Sequence, residues 1–152
     1  MKRIFLLLTV LYISFLTSCD SDKSNDTVLP TATITTFNAK INGTDVDFNV
    51  GTIIKETQPD YTDLIVTVTK STDATKSFVF HLEQMQTGED SCYYFLYAQD
   101  NINYALEVAN SFSTNVTTST EHNIVGTFTG RLYTEDQSSF IDITDGVFNI
   151  TY

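Results

Sequence analysis

The sequence predicts an all-β protein, a single antiparallel β-sandwich or up-and-down β-barrel of about eight to ten strands. From Thr33 onward, apolar and polar residues alternate with period two, and β-branched and aromatic residues dominate. Turn dipeptides and short polar segments interrupt this pattern, and the sequence contains no long helical pattern, repeat or low-complexity block. Period alone does not choose between the sandwich and the barrel.

The sequence predicts three segments: a signal peptide over residues 1–18, a flexible acidic tether that starts at Cys19 over residues 19–32, and a β-domain over residues 33–152. The first segment has a basic start, Lys2-Arg3, an apolar run from Ile4 to Phe15, and small residues before Cys19. This is the three-part plan of a secretion signal. The apolar run is shorter than the roughly twenty residues that a membrane-spanning helix needs.

The run Leu16-Thr17-Ser18-Cys19 resembles the lipobox of bacterial lipoproteins. The resemblance implies that the Cys19 sulfur takes a diacylglyceryl group, that cleavage follows on the amino side of Cys19, and that the new amine is acylated. Each buried methylene contributes about 0.8 kcal/mol, so two or three chains hold the protein on a membrane permanently. The alternatives are a plain signal peptide with a chance cysteine and a short uncleaved anchor. We expect a palmitate-bearing membrane lipoprotein.

The predicted tether, Asp20–Pro30, is polar and acidic, a composition typical of flexible segments. Its acidic start resembles the export signal that sends lipoproteins of Bacteroidota-type bacteria to the outer face of the outer membrane. Asp26-Thr27-Val28 resembles the three-residue O-glycosylation site of the same group, with Thr27 as the acceptor. These resemblances imply a lipid-anchored, surface-exposed protein of the cell outer membrane.

The first predicted hairpin joins strands at Thr35–Ile41 and Thr44–Val50. Its turn is Asn42-Gly43, because both positions tolerate positive φ. Ile53-Ile54 begins or extends another strand, which the breaker Gln58-Pro59-Asp60 ends.

The second predicted hairpin joins strands at Asp63–Lys70 and Lys76–Glu83 through the polar turn Ser71–Thr75. A loop over Gln84–Ser91 follows. The next strand, Cys92–Ala98, is apolar on both faces, which is typical of a strand that is covered on each side or presents an aromatic face.

The segment Asp100–Ala109 fits a strand or a helix, and we favour a strand because it can form a short hairpin with Cys92–Ala98. A further edge strand is predicted near Phe112–Thr117. Asn123–Thr134 is a long strand containing two glycines four positions apart. The dipeptide Asp145-Gly146 predicts a second tight hairpin turn, between strands at Phe140–Thr144 and Val147–Tyr152.

The two ends of the domain resemble a family of small β-rich lipoproteins from Bacteroidota-type bacteria. The runs that carry the resemblance are Phe37–Phe48 (FNAKINGTDVDF) and Ile124–Phe148 (IVGTFTGRLYTEDQSSFIDITDGVF). Members open with an aromatic-x-Ala-x-Ile/Val-Asn-Gly hairpin and close with Gly-Thr-Phe, then Ile-Thr-Asp/Asn-Gly-x-Phe. The family often carries Trp near the position of Phe48, whereas this chain has no Trp. The resemblance implies a fold and an envelope location, and it implies no activity.

The formal net charge of −11 repels nucleic acid and anionic lipid headgroups, so we expect neither as a partner beyond the anchor itself. Lipidation would consume Cys19 and leave Cys92 without a partner in its own chain, which excludes an internal disulfide. Cys92 lies in an apolar strand, where a buried inert thiol is favoured over a reactive one.

No catalytic constellation stands out, so we expect a non-enzymatic protein without cofactor or metal. His81 and His122 are the only histidines, and neither has a metal-ligand spacing to another His or Cys. Carboxylates crowd two predicted turns: Asp45 with Asp47, and Asp142 with Asp145. Solvated turn residues are favoured over weak Ca²⁺ coordination at these places.

The best candidates for ligand recognition are the aromatic residues Tyr93, Phe95 and Tyr97, with Tyr104. Aromatic faces stack on sugar rings and apolar ligands, while Tyr hydroxyls form hydrogen bonds; core packing is the alternative. We expect a module that binds a glycan, a small ligand or an envelope protein. The alternatives are an inhibitor of a foreign enzyme, acting through the Gln84–Ser91 loop, and a carboxylate-pair hydrolase.

Overall fold

The computed structural model describes residues 27–28, 33–106 and 108–152. The predicted signal peptide, Cys19 and the predicted tether other than Thr27-Val28 lie outside these residues. The described residues form an antiparallel sheet that curls into a half-barrel, and they contain no helix. The predicted all-β antiparallel class is therefore confirmed.

The sheet contains twelve strands, of which β1 and β7 have two residues each. In chain order they are β1 (Thr27–Val28), β2 (Thr33–Ile41), β3 (Thr44–Asp47), β4 (Val50–Thr57), β5 (Thr62–Lys70), β6 (Asp73–Glu83), β7 (Gly88–Glu89), β8 (Cys92–Gln99), β9 (Ile102–Ala105), β10 (Phe112–Ser119), β11 (Asn123–Tyr133) and β12 (Phe140–Thr151).

Neighbours in the sheet are mostly neighbours in the chain. The order is β1-β4-β5-β6-β8-β9-β11-β12-β2-β3, and β10 pairs with both β11 and β7. The first described long strand, β2, thus pairs with the last, β12. β3, at one end of the strand order, leads through Phe48 and Asn49 into β4, which is second from the other end.

The inner face of the curled sheet is filled with aromatic rings. Period-two alternation aims one side chain in two at this face, and the residues concerned are large: Phe37, Phe48, Phe78, Phe80, Phe95, Tyr97, Phe128 and Phe148, each at most 2% exposed. Phe78 is central, since its ring centroid lies 4.7–5.6 Å from five of the others. Such edge-to-face and tilted contacts stabilise a core beyond the apolar area that they bury.

Three predicted hairpins are observed. β2 and β3 meet at Asn42-Gly43, where φ is 49° and 80°. β5 pairs with β6, and β8 pairs with β9 through Asp100 and Asn101, which have φ of 52° and 65°. Within Asp100–Ala109, the strand interpretation is thus right for Ile102–Ala105.

Asp145-Gly146 is not a hairpin turn, and that prediction is wrong. Phe140–Thr151 is one continuous strand, paired with β11 on one side and β2 on the other. The dipeptide lies at a β-bulge, where the register against β2 shifts between Thr144 and Val147, and Asp145 has φ of 54°. A β-bulge accommodates the same positive φ that a tight hairpin turn requires.

Candidate functional site around Tyr93

The four aromatic residues predicted for recognition do not form one surface. Phe95 and Tyr97 are 1% and 0% exposed and belong to the core. Tyr104 is half-buried, and its ring centroid lies 6.4 Å from that of Tyr97. Tyr93 is 56% exposed. Of the four, Tyr93 is the residue that presents its ring to solvent.

A β-bulge sets Tyr93 apart from its predicted companions. Leu82 of β6 pairs with Cys92, and His81 pairs with Tyr94, so Tyr93 is an extra residue on β8. The extra residue interrupts the alternation: Cys92 is buried, whereas Tyr93 and Tyr94 are both exposed. Strand bulges re-aim side chains in this way, and an unbroken period-two reading of the sequence cannot locate them.

Tyr93 lines a pocket of about 650 Å³ beside the first residues of β8 and β10. The pocket has a polar lining from Asp90, Asn110, Ser113 and Thr114. Its apolar lining includes Leu106 and Phe112. An exposed ring beside several hydrogen-bonding groups is the composition of a small-ligand site.

The segment before β8 holds the polar side of this pocket in place. The Asp90 backbone N–H donates to the Thr114 carbonyl (2.8 Å), and the Thr114 N–H donates to Asp90 Oδ1 (3.3 Å). Asp90 adopts the positive φ of 55° that this clamp requires. β7 adds a second attachment, since Gly88 and Glu89 pair with β10.

Cys92 lies in the wall of the pocket but is only 3% exposed. Burial raises the pKa of its thiol to about 12, although a hydrogen bond with Thr114 opposes the rise. The sulfur is therefore protonated at neutral pH and is a poor nucleophile. The burial predicted for this cysteine is confirmed.

On the outer face of the sheet, opposite the core, Tyr93 adjoins His81 and Asp63. The ring centroid of His81 lies 5.9 Å from that of Tyr93 and 4.8 Å from that of Tyr94. His81 Nδ1 lies 3.6 Å from Asp63 Oδ2. His81 thus points away from the core, as predicted, while Asp63, which the sequence did not single out, is 7% exposed.

Several members of this cluster affect the phenol of Tyr93. Its pKa is raised above the ordinary value for tyrosine, first by desolvation and then by the nearby Asp63, Tyr61 and Glu56. These surroundings disfavour the charged phenolate, although the ring as a whole is exposed.

The carboxylates singled out at turns behave as surface groups. Asp142 accepts a hydrogen bond from Arg131 Nε at 2.8 Å, and Asp145 accepts one from Lys40 Nζ at 2.7 Å. Asp45 and Asp47 are exposed. Across the described part of the chain, no three His, Cys, Asp or Glu side chains are arranged to hold a metal ion.

Of the two predicted modification sites, Thr27 is among the described residues and Cys19 is not. Thr27 lies in β1, opposite Lys55 of β4, and Cys19 lies outside the described residues. None of the described segments is a helix with the length and apolarity to span a bilayer.

Comparisons of this chain with protein-family models, curated proteins and solved structures found no match.

Proposed function

We propose that the chain is a lipid-anchored, non-enzymatic binding module on the surface of the outer membrane, which takes a sugar or a similar small polar ligand. The pocket beside Tyr93 carries the binding part of this proposal. Its volume of about 650 Å³ falls within the range of ligand sites, roughly 300–1,000 Å³. The lipobox-like run ending at Cys19 supports the anchor, and the acidic residues after it support surface location.

The side chains of the pocket suit a sugar. A sugar has an apolar ring face, which stacks on an aromatic ring such as that of Tyr93, and many hydroxyls that need hydrogen-bond partners. Asp90 accepts hydrogen bonds, Asn110 both donates and accepts them, and Ser113 does the same with its hydroxyl.

The chemistry of the pocket favours binding over catalysis. Its one thiol, Cys92, stays neutral at physiological pH. Neither His81 nor His122 is among the residues that line it. A nucleophile with an adjacent base is the arrangement that covalent catalysis requires.

The inhibitor alternative receives less support from the structure. The segment Gln84–Ser91 does not project as a free loop, because β7 pairs with β10 and the Met85 N–H donates to Ser119 Oγ at 2.8 Å.

Binding is tested by screening the full-length protein against a glycan array and measuring hits by calorimetry. The protein is kept in a polyoxyethylene detergent, which carries neither sugar nor ammonium groups. We expect Ser113→Trp, which fills the pocket, to weaken binding by about tenfold or more. The matched control is Thr127→Trp, an exposed strand position outside the pocket. Binding that survives Ser113→Trp, or no glycan hit at all, contradicts the proposed sugar site.

The anchor is tested separately by growth with labelled palmitate. We expect the label in the natural protein and none in Cys19→Ala. Protease treatment of intact cells then examines surface exposure: degradation only after lysis contradicts it. A mature mass without hexose additions contradicts glycosylation at Thr27.

A further inference from the structure

Three carboxylates stand side by side on the outer face of the sheet. Glu56 of β4 is directly opposite Asp63 of β5, and Asp63 is directly opposite Glu83 of β6. We call these three residues the carboxylate row. Like charges at directly opposed positions destabilise a sheet. None of the ion pairs between described side chains includes Glu56 or Glu83.

One oxygen of the central member of the row is buried without a hydrogen-bond partner. Asp63 is 7% exposed, and its Oδ1 has no partner among the described residues. His81 Nδ1, at 3.6 Å from Oδ2, is beyond hydrogen-bonding distance. Buried carboxylate oxygens normally accept hydrogen bonds or pair with a cation, so Oδ1 departs from the rule. Such departures concentrate at functional sites.

Aromatic rings border the row. Tyr61, in the turn between β4 and β5, is 46% exposed, and Tyr93 and Tyr94 are 56% and 38% exposed. Desolvation, Asp63, Tyr61 and Glu56 together raise the pKa of the Tyr93 phenol. Exposed tyrosine rings beside unpaired negative charge attract cations through their π faces.

The neighbouring row on the same face is apolar and aromatic. Ile54 is opposite Ile65, Ile65 is opposite His81, and His81 is opposite Tyr94. All four side chains are partly accessible. A ligand over the carboxylate row would therefore meet charge on one side and methyl groups and rings on the other.

We propose that the carboxylate row and its bordering tyrosines bind an organic ammonium group, with a methylated ammonium preferred. The negative charge of the carboxylate row attracts the ammonium nitrogen, and the faces of the tyrosine rings contact its methyl groups. Ile54 and Ile65 contact the carbon atoms of the ligand. A metal ion is not the favoured occupant, because these residues do not form a metal-binding group. The site is distinct from the sugar pocket and shares only Tyr93 with it.

The test is a titration of the full-length protein with choline, followed by ¹H–¹⁵N NMR in polyoxyethylene detergent. We expect saturable shifts at Tyr61, Asp63 and Tyr93, and no response to 3,3-dimethylbutan-1-ol, the neutral isostere of choline. Asp63→Asn should weaken choline binding by about tenfold. The matched control is Asp47→Asn, which removes the same charge from an exposed position elsewhere and should change affinity less than about twofold.

Several outcomes overturn the proposal: no saturable response to choline, an equal response to the neutral isostere, equal losses in Asp63→Asn and Asp47→Asn, or a stronger response to Ca²⁺ than to choline. Ser113→Trp should leave choline binding intact, so failure of the sugar pocket does not decide this test. If Asp63→Asn does not fold, Glu83→Gln at the accessible end of the row replaces it, and unchanged choline affinity in that variant also overturns the proposal.

Discussion

Asn42-Gly43 and Asp145-Gly146 are the same type of dipeptide in two different surroundings. Asn42-Gly43 joins β2 to β3, and an added Cβ on Gly43 would meet nothing within 4 Å. Asp145-Gly146 lies inside β12, and a Cβ on Gly146 would meet the carbonyl oxygen of Phe128 and, at 2.5 Å, its ring. Gly43 is needed for its positive φ, whereas Gly146 is needed because a side chain there would collide with Phe128.

The difference shows what an Asx-Gly signal means. It marks a residue with positive φ, which is 49° at Asn42 and 54° at Asp145. Whether the chain then reverses or continues through a bulge depends on the strands alongside. β12 has partners on both sides before and after the dipeptide, so continuing keeps its backbone hydrogen bonds on both sides.

The largest effect is expected from Gly146→Ala. The added methyl group has no room, because Phe128 is buried and its backbone is held in β11. We expect a loss of about 3 kcal/mol in the free energy of unfolding, measured by urea denaturation. A midpoint equal to that of the natural protein would show that the bulge does not pack as described.

An intermediate effect is expected from Gly43→Ala. The new side chain has open space but a φ of +80°, which L residues rarely adopt. The strain should cost about 1 kcal/mol in the same measurement. A loss as large as that of Gly146→Ala would contradict the view that positive φ at Gly43 costs less than the missing room at Gly146.

The smallest effect is expected from Asp145→Asn. Asparagine tolerates positive φ, so the bulge keeps its backbone, and only the exposed ion pair with Lys40 is lost. That carboxylate raises the pKa of Lys40, so the substitution should lower it toward its ordinary value. We expect no measurable change in thermal unfolding. A clear drop in melting temperature would mean that the aspartate has a structural role beyond this pair.

Local patterns predicted most of the strands because each strand alternates between a packed and an exposed face. Thr62–Lys70 begins one residue before its predicted start, whereas Asp73–Glu83 takes in the last three residues of the predicted turn Ser71–Thr75. Apolar side chains such as Val66 and Phe80 mark the inner face of both strands. Places where a strand gains a residue were not predictable. At Tyr93 and Asp145 the register depends on the partner strand, which composition does not describe.

The two candidate sites were less predictable than the fold. Tyr93 was chosen among the aromatic residues, but its separation from Phe95 follows from the bulge. Glu56, Asp63 and Glu83 are each unremarkable in sequence. They become a row only when three strands are aligned, so the signal is carried by register and not by spacing along the chain.

The two-residue strand β1 fixes the end of the sheet at which the described part of the chain begins. β1 pairs antiparallel with β4, with Thr27 opposite Lys55 and Val28 opposite Ile54. The N-terminal end of β1 therefore lies at the end of β4 that carries Glu56. Cys19 precedes Thr27 by eight positions, which span at most about 28 Å. If Cys19 carries acyl chains as we propose, the carboxylate row therefore lies at the end of the sheet where the anchored segment enters.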